Sequence, residues 1–285
     1  MERLSHIDEW RQYASEQRSH GRHVALVPTM GALHEGHASL FRAARAKGDV
    51  VMATIFVNPR QFHDEADLLT YPRTPEADRT MAEANGVDCL VEPSWATMWP
   101  DYPEATATTV SVRGLGDSLE GVGRPGHFNG VASVVTKLLS ITGPCRAYFG
   151  EKDFQQLAVI RQLVRDLALD ADVVSCAIVR DENGLALSSR NRQLSGDGRR
   201  RAQALSRALS LALARPARAS DQRHLLRETL QQSGVATVYA EIVDPLTLMA
   251  SRDDEVGERR ALLAAIIDGV RLIDNGPVTL MADGN

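Results

Sequence analysis

The sequence predicts an α/β protein: a doubly wound parallel sheet followed by a smaller α+β domain. Three observations carry this. Short apolar runs alternate with helical patterns up to about residue 179, which is the rhythm of strand–helix–strand units. The run V-V-M-A-T-I-F-V at 50–57 is continuously apolar instead of alternating, as a strand covered on both faces requires. Beyond 179 two helical stretches rich in Arg, Ala and Leu come before the strand-like runs, so the texture changes. The predicted domains are 1–178 and 179–285, with a hinge-like junction near 178–181 and no Pro/Gly-rich linker between them.

In chain order, residues 5–20 read as an amphipathic helix and 24–27 as a strand, leading into a helix over 38–47. A strand at 50–57, a helix at 75–85 ended by Gly86, and a short strand at 89–91 follow. The glycine-punctuated stretch 105–123 reads as an excursion over the sheet. Helix 131–141, strand 146–149, helix 154–167 and strand 173–179 complete the first domain. In the second, helices at 197–214 and 221–232 precede strands at 237–243 and 261–267, with 271–273 a possible third.

The 285 residues are 44% hydrophobic and 24% charged, ordinary for a globular chain with ample core. A net charge of −5 offers no bulk attraction to nucleic acid. No apolar run approaches a membrane span and the polar N-terminus has no signal-peptide core, so a cytoplasmic protein with no membrane partner is expected. Cys89, Cys145 and Cys176 are widely spaced beside strand-like runs, which suggests reduced core thiols. No metal-ligand cluster is predicted.

The stretch around which the chain is organised is residues 28–37, P-T-M-G-A-L-H-E-G-H. A strand delivers a glycine turn with two histidines three apart at a helix start. Orphan N–H groups and the positive dipole end there favour an anion such as phosphate. His34 and His37 can share one face of that first turn. The commoner phosphate loops, G-x-x-x-x-G-K-[ST] and G-x-G-x-x-G, do not follow this strand. In a doubly wound sheet such a turn lies at the carboxyl edge, where ligands bind.

Four further stretches offer polar groups. After the strand at 50–57, Pro59 forces a turn, and Asn58 and Gln61 present amides suited to a polyol or carboxylate; Asn58 as a plain turn cap is the alternative. Arg124, between glycines, is either an anion clamp or a solvated loop residue. In 148–156, Gly150 allows close approach of a ligand and Lys152 can cancel phosphate charge. Asp153 either accepts sugar hydroxyls or caps the next helix, and Gln156 presents another amide beside Gln155. Ser188, Ser189 and Arg190 on a mobile loop form a polyphosphate grip able to stabilise developing charge.

These blocks occur in one order: residues 28–37, F-V-N-P-x-Q-F at 56–62, D-L-x-x-Y-P-R at 67–73, G-R-P-G-H-F at 123–128, F-G-E-K-D-x-Q-Q at 149–156 and L-S-S-R-N at 187–191. With Y-A-E-I-V-D at 239–244, the chain resembles the pantothenate synthetase family (pantoate–β-alanine ligases, AMP-forming) over essentially its whole length. The resemblance implies a Rossmann-like first domain of the HIGH nucleotidyltransferase superfamily with the second domain as a lid. It implies attack of the pantoate carboxylate on the α-phosphate of ATP, then attack of the β-alanine amine on pantoyl adenylate. Met30, Gly31, Ala32, Leu33, His34, Glu35, Gly36 and His37 would line the ATP site, with Gly150, Glu151, Lys152, Asp153, Val179 (through its backbone), Leu187, Ser188, Ser189 and Arg190. His37 is the family's usual proton donor, although charge stabilisation suits it better physically. Gln61 and Gln156 would hold pantoate, with Gln61 also near β-alanine; Asn58 and Arg124 are weaker carry-overs. Mg²⁺ would bridge the phosphates with few protein ligands, and a homodimer is the family's expectation. The chain departs from the family pattern at Asn129 and at Trp99, neither of which is expected to touch a residue assigned to chemistry. An adenylyltransferase of the same superfamily acting on a phosphorylated acceptor is the alternative; its pocket should be cationic, whereas Asn58, Gln61, Gln155 and Gln156 make this one amide-rich. Net charge and the short second domain disfavour a tRNA-charging enzyme, and intact His37, Lys152 and 188–190 disfavour a non-catalytic nucleotide sensor.

Overall fold

A computed structural model describes residues 1–282 of the chain. By packing it divides into two compact units, Met1–Glu151 with Gln155–Ala177, and Lys152–Phe154 with Ile178–Asn285. A single cut at 178 therefore leaves out one detail: Lys152–Phe154 groups with the second unit. The reason is local, since Asn275 Nδ2 donates to Lys152 O at 2.9 Å and the Arg260 guanidinium lies 4.4 Å from the Phe154 ring centroid.

The first unit holds strands β1 (Glu2–Leu4), β2 (Val24–Thr29), β3 (Val50–Ile55), β4 (Cys89–Val91), β5 (Cys145–Gly150) and β6 (Ala171–Cys176). They form one six-stranded sheet in the order β1-β4-β3-β2-β5-β6, and every pairing is parallel. The helices are α1 (Ile7–Ser19), α2 (Glu35–Ala46), α3 (Glu65–Thr70), α4 (Pro75–Ala84), α5 (Trp95–Met98), α6 (Glu120–Gly123), α7 (His127–Thr142) and α8 (Phe154–Asp166). The strand order reverses between β2 and β5, so the switch-point crevice opens beyond Thr29 and Gly150. Residues 50–54 are all buried, and Val51 and Ala53 join Phe41 and Ala44 of α2 in the core, which explains the unbroken apolar run.

Several short elements carried too little pattern to be read, β1 and α3 among them. Strand β1 has the sequence E-R-L with Glu2 and Arg3 exposed, an edge strand without an apolar face. Helix α3 is one and a half turns long and is started by Asp64, whose Oδ1 accepts from Ala66 N at 2.8 Å. The stretch 105–119 is irregular, and α6 follows it.

The second unit holds α9 (Gly196–Ala214), α10 (Ala219–Gln232) and the antiparallel sheet β7 (Ala236–Val243), β8 (Gly257–Ile267) and β9 (Val270–Leu280), ordered β7-β8-β9. Strand β9 runs far beyond 271–273; Gly276 and Pro277 hide its pattern, and Pro277 is tolerated because β9 is the edge strand of this sheet. Leu205, Leu209, Leu226 and Leu230 of the two helices pack on Ala240, Ile242, Leu263 and Leu272. The cysteines are unpaired thiols; Cys89 is buried, but Cys145 and Cys176 are only half-buried, which corrects the expectation of three core residues.

Candidate active site

The turn beyond β2 is shaped by glycine and by buried oxygen acceptors. Gly31 adopts φ +79° and the buried Ala32 adopts φ +49°, a left-handed conformation that a non-glycine residue enters only when its surroundings demand it. Asp78, 2% exposed, supplies that demand: Oδ2 accepts from Ala32 N at 2.9 Å and Oδ1 from Leu33 N at 2.7 Å. Thr29 Oγ1 accepts from Gly31 N at 3.3 Å and donates to Thr54 O at 2.7 Å.

Helix α2 then begins in an unusual way. His34 is its N-cap, with Nδ1 accepting from Gly36 N at 3.1 Å, while His37 Nδ1 accepts from His34 N at 3.3 Å. The two rings lie 4.2 Å apart, tilted by 43°. A backbone N–H can only donate, so each Nδ1 must be unprotonated, and each neutral ring carries its proton on Nε2. This overturns part of the expected anion site. Of the backbone N–H groups from Gly31 to Ala38, all but that of Glu35 are accepted within the described protein. Besides the Glu35 N–H, the donors of this turn are the imidazole Nε2–H groups.

Beyond β3 the chain makes a 3₁₀ turn, Pro59–Gln61, capped by Asn58. Asn58, 1% exposed, donates through Nδ2 to Gln61 Oε1 at 3.0 Å and Gly130 O at 3.1 Å. Its Oδ1 accepts from Trp99 Nε1 at 3.0 Å and Arg60 N at 3.4 Å. Its amide is thus used within the protein, and Asn58 orients Gln61, so the turn-cap reading holds. Trp99 therefore does touch an assigned residue, contrary to expectation. Gln61 Nε2 lies 3.0 Å from Met30 Sδ, which joins this turn to the histidine turn.

His127, quoted in a motif but given no role there, completes the arrangement. Its Nδ1 lies 2.8 Å from the carbonyl of Gln61, a pure acceptor, so Nδ1 carries the proton. Its Nε2 accepts from Arg124 Nη1 at 3.1 Å, so Arg124 is held beside the Gln61 turn. Gly130 makes this close packing possible: a Cβ there would stand 2.2 Å from Arg60 O. Gln155 proves structural, accepting from Glu120 N at 3.0 Å and donating to Leu115 O and Ser118 O at 2.8 Å. Gln156 is half-buried, and its amide makes no hydrogen bond among the described residues.

Gly150 closes β5, and a Cβ there would meet no atom within 4 Å, so protein packing does not require the glycine. Glu151, which follows it, is half-buried in a 3₁₀ turn. In the second unit, Lys152 Nζ lies 3.4 Å from Asp153 Oδ1. Val179 O accepts from Leu187 N at 2.9 Å, and Ser188 caps a 3₁₀ turn, Ser189–Gln193, with Oγ accepting from Arg190 N at 3.4 Å. The first unit thus gathers Met30–His37, Asn58, Gln61, Arg124 and His127; Lys152, Asp153, Val179 and Leu187–Arg190 belong to the second.

A parallel sheet with H-x-G-H at its switch point and amides on the neighbouring turn defines a nucleotide-using α/β enzyme. The chain matches the family model for pantoate–β-alanine ligase over residues 2–277, and it belongs to that family. It is 48% identical over 282 residues to a pantothenate synthetase of Cereibacter sphaeroides, covering 96% of this chain and 99% of the relative. Another, from Paracoccus denitrificans, is 48% identical over 279 residues, covering 96% and 97%. Pantothenate synthetase from Thermus thermophilus superposes with a TM-score of 0.88 at 42% identity, covering 97% and 99% of the two chains. A Francisella tularensis pantoate–β-alanine ligase, solved with β,γ-ATP and β-alanine, gives a TM-score of 0.81 at 33% identity, covering 97% of each chain.

Proposed function

We propose that this chain joins pantoate to β-alanine at the expense of ATP, giving pantothenate, AMP and pyrophosphate. A free carboxylate is a poor acyl donor, so the pantoate oxygen first bonds to the α-phosphorus and pyrophosphate leaves. The β-alanine nitrogen then bonds to the acyl carbon, AMP leaves with the bonding electrons, and the amine loses its proton to give the amide.

The observation that carries this reading is the reciprocal capping of α2 by His34 and His37, in a member of this family. Both rings are fixed as Nε2–H donors, the form that hydrogen-bonds phosphate oxygens as charge accumulates on them. A neutral Nε2–H imidazole is a poor proton donor, since losing that proton would leave an imidazolate. His37 therefore serves the departing pyrophosphate as a hydrogen-bond donor. Gln61, oriented by Asn58 and anchored through His127, is assigned to pantoate, with Gln156 and Arg124. Lys152, Ser188, Ser189 and Arg190 are assigned to the polyphosphate, and Gly150, Glu151, Asp153, Val179 and Leu187 to the rest of the nucleotide.

Of the assigned groups, the imidazoles, ammonium, guanidinium and amides suit phosphate and carboxylate, and Mg²⁺, which takes oxygen ligands but keeps several waters, is left to the phosphates. Mg²⁺ is accordingly written as part of the MgATP substrate, with no protein ligand assigned. A homodimer and a cytoplasmic location belong to the same proposal. The unpaired thiols fit a reducing compartment, and light scattering would test the dimer.

The test is pyrophosphate and AMP release from MgATP and D-pantoate, with and without β-alanine. About one equivalent of pyrophosphate per site without the amine, then sustained AMP release with it, is expected. Sustained pyrophosphate release that needs a phosphorylated acceptor and yields no AMP would assign an adenylyltransferase instead. Gln61→Ala should raise the apparent pantoate requirement; an unchanged value would remove Gln61 from the site.

A further inference from the structure

We infer that Asp78, seated by Thr74, is a positioning residue for the nucleotide turn, holding the left-handed Gly31–Ala32 backbone that aims the two imidazoles. The inference rests on the assignment of that turn to ATP. The residue stands in the first turns of α4, 46 positions from Ala32 along the chain. Its carboxylate is 2% exposed and accepts from Ala32 N, Leu33 N and Thr74 Oγ1, the last at 2.9 Å.

Three features make this more than filling of a core. First, a buried carboxylate beside a polyphosphate site is electrostatically adverse, and is tolerated only where its oxygens are fully engaged. Here it is engaged by the backbone of the turn itself, and it withdraws those two N–H groups from any anion. Second, packing alone does not account for the turn: Ala32 and Leu33 are buried, but part of the turn faces a cavity. Met30, Gly31 and Asp78 line a cavity of about 400 Å³ together with Arg73, Thr74 and Trp95, so on that flank the turn is held by hydrogen bonds. Third, Thr74 is the residue after the D-L-x-x-Y-P-R block, which the assigned chemistry leaves without a role. Arg73 within the block donates to Leu68 O at 3.1 Å and Tyr71 O at 3.0 Å, which fixes the chain just before Thr74. The hydroxyl of Thr74 then sets the carboxylate that sets the turn.

The experiment compares Asp78→Asn, Thr74→Val and Thr74→Ser with the parent enzyme. It measures the rate of pantoyl-adenylate formation per titrated active site, KM for ATP and for pantoate, ATP binding by calorimetry, and Tm. Asparagine has one acceptor oxygen, and its NH₂ would face one of the two backbone N–H groups, so the turn must shift. A misplacement near 1 Å costs about a hundredfold in rate, so Asp78→Asn should lose at least about tenfold per site with pantoate KM unchanged. Thr74→Val should lose several-fold, and Thr74→Ser, which keeps the hydroxyl, should match the parent. A parent-like rate per site in Asp78→Asn, whatever its Tm, would overturn the inference. If that variant does not fold, equal rates for Thr74→Val and Thr74→Ser would overturn it. If the parent forms no pantoyl adenylate, the functional reading fails separately. ATP binding then decides: weakening in Thr74→Val supports the inference, and parity overturns it.

Discussion

His34 and His37 are held in one tautomer and His127 in the other, and the difference sets the two groups proposed to act on phosphate apart from one that positions its neighbours. The first two spend Nδ1 on backbone N–H groups at the start of α2 and keep their protons on Nε2. His127 spends its Nδ1–H on the Gln61 carbonyl and uses Nε2 to hold Arg124. One residue type thus does two kinds of work, selected by whether its backbone partner donates or accepts. The same division runs through the amides, where Asn58 is consumed in orienting Gln61.

The largest effect that would sharpen this contrast is expected from His37→Ala. Removing a hydrogen-bond donor to developing charge should slow adenylate formation by about 10²–10³-fold, with ATP binding little changed in single-turnover and calorimetric measurements. Equal losses in both would place His37 in ground-state binding. Next comes Gly130→Ala, whose Cβ would stand 2.2 Å from Arg60 O and 2.7 Å from Gln61 Cα. Overpacking of this kind costs about 1–3 kcal/mol, so denaturant unfolding should shift by that amount while pantoate KM rises; an unshifted midpoint would show that α7 and the 3₁₀ turn move apart at no cost. His127→Ala should raise pantoate KM by about tenfold, the worth of roughly 1.4 kcal/mol, and leave ATP KM alone. A change in ATP KM instead would break the proposed division of labour.

The smallest effect lies away from the site. Burial first, and nearby carboxylates second, push the Cys89 thiol up to about 12. Burial likewise pushes the Tyr148 hydroxyl up to about 12, with Asp49 adding to it. Between the ordinary pKa of each group and 12 the unfolded chain releases these protons while the folded chain keeps them, so stability falls as pH rises through that window. Urea midpoints should be flat from pH 7 to about 8.5 and then decline; a flat profile to pH 11 would contradict the assigned burial.

The parallel sheet was legible because β2, β3 and β5 are apolar and separated by well-formed helices. The histidine turn was legible because its glycine and histidines are contiguous. What escaped was long-range or already spent. Asp78 looks like an ordinary acid in the first turns of a helix, and nothing in its neighbourhood points to Ala32. The backbone N–H groups of 31–37 looked available because a sequence does not reveal which side chains reach back to claim them. Gln155 and Gln156 are adjacent amides, and only packing distinguishes the one tied to 115–120 from the one left for other partners. Trp99 stood out as a departure from the family pattern, yet its contact with Asn58 depends on α5 lying beyond β4, which 41 residues of separation conceal.

The most direct test of the account is the ring protonation of the histidines, read by long-range ¹H–¹⁵N correlation spectra with and without a non-hydrolysable ATP analogue. His34→Ala, His37→Ala and His127→Ala would supply the assignments. Nε2–H tautomers are expected for His34 and His37, an Nδ1–H tautomer for His127, and analogue-induced shifts at Nε2 of the first two. Nucleotide-induced shifts at the Ala32 and Leu33 amides, with both imidazoles unmoved or carrying Nδ1–H, would contradict this assignment.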